Sequence, residues 1–154
     1  AFSSFGVIRR DIAQAHARTL VERYDVRGTQ AAGLETPTRA LSGGNMQKLI
    51  LGRALLGDPG HAARPCLIVA NQPTWGLDIG AVAFVHQQLL DACAQGAAVL
   101  LVSDDLDEIF ALADRVAVMH AGRLGEAKPA AAWTKSAIGL AMAGAVAQGA
   151  AHAA

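Results

Sequence analysis

Two short, continuous apolar runs constrain the fold more than any other feature of this chain. Residues 66–70 (CLIVA) and 98–102 (AVLLV) have the length and composition of strands buried on both faces of a parallel sheet. Between them, residues 79–95 repeat apolar positions at helical spacing and lead to Gly96, which suits a helix C-terminus. A strand, a crossover helix and a second strand in this order predict an α/β fold with a parallel sheet.

The sequence after the second run continues the alternation of helix and strand. Residues 103–105 (SDD) provide a polar cap for a helix that we expect to reach residue 113. Residues 115–119 then alternate as a third strand, and residues 120–123 predict a hairpin turn. The pattern therefore favours a sheet core flanked by helices.

Periodicity also organises the two ends of the chain. One apolar face repeats over residues 9–24 and predicts an amphipathic helix, followed by a connecting loop over residues 25–40. A second loop, rich in helix breakers, is expected over residues 57–65, and Thr134 is suited to cap a last helix. Beyond Gly144 the tail is rich in Ala and Gly, and we expect it to be frayed or disordered.

A polar, glycine-bearing turn at residues 41–48 (LSGGNMQK) runs directly into another apolar periodic segment. Ser42 is a favourable N-cap, and Gly43 and Gly44 leave the backbone open to a ligand. The free N–H groups of the first helical turn would then bind an anion, and phosphate is the natural candidate. A capped turn without a ligand is the simpler interpretation when only these three residues are considered.

The longer string Leu-Ser-Gly-Gly-Asn-x-Gln-Lys resembles the signature motif of ATP-binding cassette (ABC) ATPases, and the resemblance extends over residues 5–144. It implies a partial P-loop NTPase fold with three parts: a helical subdomain carrying the signature (1–57), half of the α/β core (58–128), and a C-terminal helix and tail (129–154). In that family the signature closes over the γ-phosphate of an ATP molecule held by a partner domain. By this resemblance the residues that contact nucleotide in trans belong to the signature and to the D-loop at residues 76–78 (GLD), namely Ser42, Gly43, Gly44, Gln47 and Asp78.

The resemblance also identifies positions where the hydrolytic chemistry of the family is missing. In a working ABC ATPase the corresponding strand ends in Asp-Glu, which serve Mg²⁺ and the attacking water, but this chain has Asn71 and Gln72. An amide carries no charge for the metal and no usable pKa for proton transfer. Asp104 stands at the position of the family's switch histidine, where its charge would repel a phosphate. We therefore expect no competent catalytic residue and a degenerate strand end.

The phosphate cradle of the family is absent from this sequence. A Walker A loop requires Gly-Lys-Ser/Thr, and none of Lys48, Lys128 and Lys135 follows a glycine. The resemblance thus implies the C-terminal part of the second, degenerate ATPase domain of a fused importer subunit. ATP and Mg²⁺ would be bound in the full assembly, with none expected on this fragment alone.

The residues at and after the end of this strand suggest which class of solute is transported. Asn-Gln followed by Pro-Thr-x-Gly-Leu-Asp-x-Gly-Ala is most similar to importers of purine nucleosides that work with a basic-membrane-protein type lipoprotein, and importers of simple sugars are close relatives. The implied partners are the first ATPase domain, transmembrane permease subunits and, indirectly, the lipoprotein, at the cytoplasmic face of the inner membrane. The alternative is a non-transport ABC module of translation or repair, whose usual basic linkers or zinc insertions are not found here.

Composition excludes other classes. Among 154 residues, thirteen basic and thirteen acidic side chains cancel, so there is no basic footprint for nucleic acid. No apolar run approaches the roughly 18 residues that a membrane span requires. The isolated Cys66 and Cys93 predict reduced core thiols of a cytosolic protein. A stand-alone enzyme with a metal site is a further alternative, but helix capping alone explains the carboxylates it would use, Asp104, Asp105, Asp107 and Glu108.

Overall fold

The computed structural model describes residues 2–4, 6–29, 32–57 and 65–145. The chain divides into two compact units, residues 1–102 and 103–154. Most of the loop expected before residue 65 and most of the tail expected beyond Gly144 lie outside the described residues.

Besides two short 3₁₀ helices (Gly33–Glu35 and Thr38–Ala40), the described part of the first unit contains a small ribbon, three α-helices and a pair of parallel strands. In chain order these are β1 (Ser3–Ser4), β2 (Val7–Ile8), α1 (Arg10–Arg23), α2 (Gly43–Leu56), β3 (Leu67–Asn71), α3 (Ile79–Ala94) and β4 (Ala98–Val102). β1 pairs with β2 in antiparallel orientation, whereas β3 pairs with β4 in parallel. The predicted α/β fold with a parallel sheet is therefore confirmed, with α3 as the crossover between the two strands.

One face of the parallel pair is exposed. Side chains on this face, Leu67 and Val69 of β3 and Leu100 and Val102 of β4, are about half or more accessible to solvent. The expectation that both faces of these strands are buried is wrong for the described residues: α3 packs against β4, and these four side chains stay exposed.

The core of the first unit lies between its helices. Leu20, Tyr24 and Val26 form a buried cluster at the C-terminal end of α1. Gly52 of α2 lies directly against the Tyr24 ring, since a Cβ atom at position 52 would stand 2.7 Å from that ring. The absence of a side chain at residue 52 thus allows α1 and α2 to approach closely.

The second unit is smaller and begins after β4. It contains α4 (Leu106–Leu112), β5 (Arg115–Val116), β6 (Met119–His120), β7 (Arg123–Leu124), β8 (Lys128–Pro129) and α5 (Lys135–Met142). The predicted third strand over 115–119 is instead two short strands, because β5 pairs with β8 and β6 pairs with β7, both in antiparallel orientation. The predicted hairpin is confirmed between β6 and β7.

Helix caps in the second unit follow the sequence. The Asp105 carboxylate accepts the backbone N–H of Asp107 at 2.8 Å and begins α4, and Thr134 Oγ1 accepts the N–H of Ala137 at 3.1 Å and begins α5. Cys66 and Cys93, in contrast, are exposed, so the prediction that they are core thiols is wrong. Within the described ranges, no helix is both long enough and apolar enough to cross a membrane.

Candidate functional site

The turn that begins α2 presents an open helix N-terminus. Ser42 is the N-cap, and its Oγ accepts the backbone N–H of Asn45 at 3.4 Å. Ser42 and Gly43 are exposed, and a Cβ atom at residue 43 would meet no atom within 4 Å. The first amides of a helix have no partner inside the helix, so this end offers donors and a positive dipole to an anion.

Asp78 lies beside the same turn. Its carboxylate caps α3 by accepting the N–H of Ala81 at 2.9 Å. A Cβ atom at Gly44 would stand 3.2 Å from Ala81 Cβ and 3.6 Å from the Asp78 carboxylate. The structure therefore brings four of the predicted site residues, Ser42, Gly43, Gly44 and Asp78, into one neighbourhood at the N-termini of α2 and α3.

Gln47, the fifth predicted residue, binds within the chain. Its Nε2 donates to the carbonyl of Pro73 at 2.7 Å, in a partly buried position. This bond attaches the loop that follows β3 to the signature helix. In this geometry Gln47 positions the D-loop, and its contact with nucleotide stays a prediction.

The end of β3 carries side-chain amides at the two positions where the sequence comparison with the family expects carboxylates. Asn71 is the last residue of the strand, and Gln72 follows with a left-handed backbone (φ 48°). The Gln72 N–H donates to Val102 O at 2.8 Å, and its carbonyl accepts the N–H of Trp75 at 3.2 Å. These backbone bonds begin the tight turn that leads to the D-loop.

Two large apolar side chains of the D-loop region are almost completely exposed. Trp75 is 82% accessible and Ile79, the first residue of α3, is 89% accessible. Both lie within four residues of Asp78. Both side chains are therefore accessible to a second protein, and aromatic residues are enriched where proteins contact each other.

Asp104 lies in the second unit, exposed, immediately before the α4 cap. Asp107 pairs with Lys135, and the Asp105 carboxylate is used as the cap. Among the described residues, no group of three or more His, Cys, Asp and Glu side chains is placed to hold a metal ion. The arrangement gives no support to a stand-alone metal enzyme at these carboxylates.

Sequence reasoning missed a polar cluster that joins the loop after α1 to the signature helix. Asp25, in a left-handed conformation (φ 46°), accepts the guanidinium of Arg27 at 3.0 Å and the Lys48 ammonium at 3.2 Å. The Arg27 N–H donates to Asn45 Oδ1 at 2.7 Å, and Asn45 Nδ2 donates to Ser42 Oγ at 2.9 Å. No periodicity or motif marks residues 25–27, so the sequence offers no signal for this cluster.

The cluster perturbs the titration of its members. Hydrogen bonds from Arg27 and then from Lys48 hold the pKa of the Asp25 carboxyl below its ordinary value. The hydrogen bond to Asp25 in turn raises the pKa of the Arg27 guanidinium. The Asp25 side chain is 53% accessible, so solvent screens these interactions and their energetic contribution is small.

This shift leads to a prediction about acid stability. Because the folded pKa of Asp25 is depressed, its contribution is present above the unfolded value of about 4 and is lost as the pH falls through the folded pKa. Asp25→Asn should therefore lower stability slightly at neutral pH and make no difference once the wild-type carboxyl is protonated. Thermal unfolding of both proteins across the acid range measures the difference, and a gap that persists unchanged at the acid end would contradict the assignment.

The glycine-bearing turn packed on the α3 N-terminus, beside a parallel strand pair, defines the class of fold. It is that of part of an ABC ATPase cassette. One similar solved structure is an ATP-binding cassette dimer in a post-hydrolysis state with ADP and phosphate, with a TM-score of 0.61, 22% identity, and coverage of 84% of this chain and 52% of that chain. The ADP form of another ABC transporter cassette gives a TM-score of 0.57 at 22% identity, covering 90% of this chain and 49% of that chain.

Curated relatives of the chain are ATP-binding proteins of ABC importers. It is 39% identical over 142 residues to the nucleoside import ATP-binding protein NupA of Lactococcus lactis subsp. cremoris, covering 92% of this chain and 26% of that protein. It is 42% identical over 143 residues to the guanosine import ATP-binding protein NupO of Bacillus subtilis, covering 93% of this chain and 26% of that protein. A third relative, the glucose import ATP-binding protein TsgD13 of Haloferax volcanii, is 45% identical over 111 residues, with coverage of 72% and 19%.

The chain thus spans about a quarter of the length of the first two of these relatives. No protein-family model matches it. The resemblance to ABC transporter ATP-binding proteins that the signature predicted is confirmed by these homologues.

Proposed function

We propose that the chain is part of the ATP-binding, energy-coupling subunit of an ABC importer for nucleosides or simple sugars, and that its signature completes an ATP site held by a partner domain. The observation that carries this proposal is the pairing of an open signature turn with Asp78 of the D-loop, next to a strand end that lacks carboxylates. In support of this proposal, Ser42, Gly44 and Asp78 lie together, and Asn71, Gln72 and Asp104 stand where the family carries the residues that hydrolyse ATP.

The assignment to importers and their solutes is supported by the relatives. NupA and NupO are named for nucleoside and guanosine import, and TsgD13 for glucose import. By analogy, the chain works with a first ATPase domain and with transmembrane permease subunits, receives solute indirectly from a binding lipoprotein, and lies at the cytoplasmic face of the membrane. ATP and Mg²⁺ are bound by the assembled importer.

The residues present are suited to a phosphate in trans. The exposed turn at Ser42 and Gly43 offers a hydroxyl and backbone N–H groups with no acidic side chain in the first turn of α2. Trp75 and Ile79 next to Asp78 provide an exposed apolar surface that a partner domain would cover. When ATP is bound across such an interface, the signature supplies hydrogen bonds and dipole stabilisation to its terminal phosphate.

The test compares two helix caps in the assembled importer. Ser42→Arg removes the cap of α2 and fills the open turn, and Thr134→Arg removes the equivalent cap of α5 in the other unit. Each loses a capping bond of about 1 kcal/mol, so their effects on stability should be similar. We expect Ser42→Arg to reduce Mg²⁺-dependent ATP hydrolysis by about 10- to 100-fold, because the Ser42 hydroxyl is lost and the long side chain fills the turn where the phosphate would lie, while Thr134→Arg leaves it nearly unchanged.

A second pair of variants separates folding from binding. Gly43→Ala adds a methyl group in open space, so the helix should keep its stability, yet the methyl group lies where the ligand must approach. Gln72→Ala should leave the hydrolysis rate unchanged, since an amide is not the catalytic base. Full hydrolysis by Ser42→Arg, or a large loss in Gln72→Ala, would overturn the proposal.

A further inference from the structure

We propose that Asn45 is a positioning residue that fixes the Ser42 hydroxyl as a hydrogen-bond donor toward the terminal phosphate of the partner's ATP. This inference rests on the proposed function, since it assigns a direction to a bond that the signature makes to phosphate. It assigns to Asn45 a role that the signature pattern alone does not identify.

The backbone N–H of Arg27 is a donor that is fixed in place outside the helix. Val26 is buried, and its backbone N–H donates to Val21 O at 3.0 Å, which anchors the loop after α1 to the core. The next residue, Arg27, therefore presents its backbone N–H in a constant place, 2.7 Å from Asn45 Oδ1. This short distance indicates a well-formed bond.

This donor determines the orientation of the Asn45 side-chain amide. A backbone N–H can only donate, so the oxygen of the Asn45 amide must face Arg27. The NH₂ group must then face Ser42, where Nδ2 lies 2.9 Å from Oγ. The Arg27 N–H thus selects one of the two amide orientations.

The Asn45 amide in turn determines the direction of the Ser42 hydroxyl proton. A serine hydroxyl has two acceptor lone pairs and one proton. Ser42 Oγ accepts from Asn45 twice, from Nδ2 at 2.9 Å and from the backbone N–H at 3.4 Å. With both lone pairs used inside the chain, the hydroxyl proton of this exposed residue is directed outward, where it can donate to an anion.

Lys48 holds the loop after α1 against the signature helix α2. The Lys48 ammonium donates to the Asp25 carbonyl at 3.1 Å and to its carboxylate at 3.2 Å, and lies 4.9 Å from the centre of the Phe84 ring of α3. Lys48 therefore joins the loop after α1, the signature helix and the D-loop helix. These Lys48 contacts keep the Arg27 N–H within hydrogen-bonding distance of Asn45.

Asn45→Asp keeps the contacts of residue 45 with Arg27 and Ser42 but reverses the direction of the hydrogen bond to the Ser42 hydroxyl. A carboxylate at residue 45 still accepts the Arg27 N–H through one oxygen, but its other oxygen accepts the proton of Ser42 where the amide had donated to Oγ. The hydroxyl then has no proton to offer and turns its remaining lone pair, together with a nearby negative charge, toward the phosphate. Because a carboxylate in the first turn of a helix is favourable, Asn45→Asp should fold as well as the wild type.

The experiment measures the kinetics of the assembled importer with Asn45→Asp, Asn45→Ala and Ser42→Ala. We expect Asn45→Asp to lose about 10- to 100-fold in kcat/KM for ATP and Asn45→Ala to lose less, because alanine removes the orientation but does not reverse it. Inhibition by ADP should be unchanged in both, since ADP lacks the terminal phosphate. Thermal unfolding should show Asn45→Asp to be at least as stable as Asn45→Ala.

Two outcomes would overturn the inference, and they can be told apart. If Ser42→Ala lowers kcat/KM but Asn45→Asp and Asn45→Ala are equally impaired, or if affinity for ADP falls as much as that for ATP, Asn45 has only a structural role and the proposed function stands. If Ser42→Ala and Ser42→Arg both leave hydrolysis intact, the proposed function fails and this inference fails with it.

Discussion

Replacement of Tyr24 by alanine is expected to destabilise the first unit by about 3–5 kcal/mol, the range for removing a large buried aromatic side chain. Tyr24 is 2% exposed and belongs to the buried cluster with Leu20 and Val26. Its ring meets Phe84 of α3 edge to face, with 6.4 Å between the ring centres, and lies against Gly52 of α2. One side chain therefore holds three helices together.

The loss should also reach the signature turn. Tyr24 immediately precedes Asp25 and the backbone donor of Arg27, so a cavity at residue 24 loosens the anchor of the loop that orients Asn45. The expected result is weaker hydrogen-exchange protection in both α1 and α2, with a fall in ATP hydrolysis by the assembled importer.

Hydrogen exchange of the α1 and α2 amides measures the change, with Tyr24→Phe as the matched control. Phenylalanine keeps the ring and its packing and should retain most of the protection. If Tyr24→Ala leaves protection of both helices unchanged, the cluster does not control the stability of this unit.

The elements that could be predicted are those determined by local chemistry. The apolar face over residues 9–24 predicted α1 to within one residue at each end, because a period of 3.6 needs only neighbouring positions. The caps at Ser42, Asp105 and Thr134 follow from side chains that bond to amides two or three residues away.

Burial of the sheet could not be predicted in the same way. A continuous apolar run such as residues 66–70 indicates a strand that is covered on both faces, but it carries no information on which elements provide the cover. In the described residues α3 packs against β4, yet Val69 and Leu100 remain exposed.

The candidate site divides along the same line. The signature and D-loop residues were identified from two short motifs that resemble those of a known family, and the structure brings Ser42, Gly44 and Asp78 together. The contact from Arg27 to Asn45 joins residues 18 positions apart and follows a left-handed backbone at Asp25, a conformation that is uncommon outside glycine. No sequence pattern at residues 25–27 specifies that geometry.

Valine at position 52 is expected to destabilise the contact between α1 and α2 by about 3 kcal/mol, the upper part of the usual range for overpacking. A Cβ atom there would stand 2.7 Å and 2.8 Å from two atoms of the Tyr24 ring, so either the ring or the helix must move. Gly139 of α5 is the matched control, because a Cβ atom at that helical position meets nothing within 4 Å. Gly139→Val should be neutral or slightly stabilising, since valine has a better helix propensity than glycine.

A double-mutant cycle with Tyr24→Ala identifies the cause of the Gly52→Val effect. If steric overlap with the ring is responsible, adding Gly52→Val to Tyr24→Ala should cost little, because the space vacated by the ring accepts the new side chain. Hydrogen-exchange protection of α1 and α2 in the four proteins gives the coupling energy. Additive losses would mean that residue 52 acts through the backbone of α2, and the close approach of the two helices would then not depend on the Tyr24 ring.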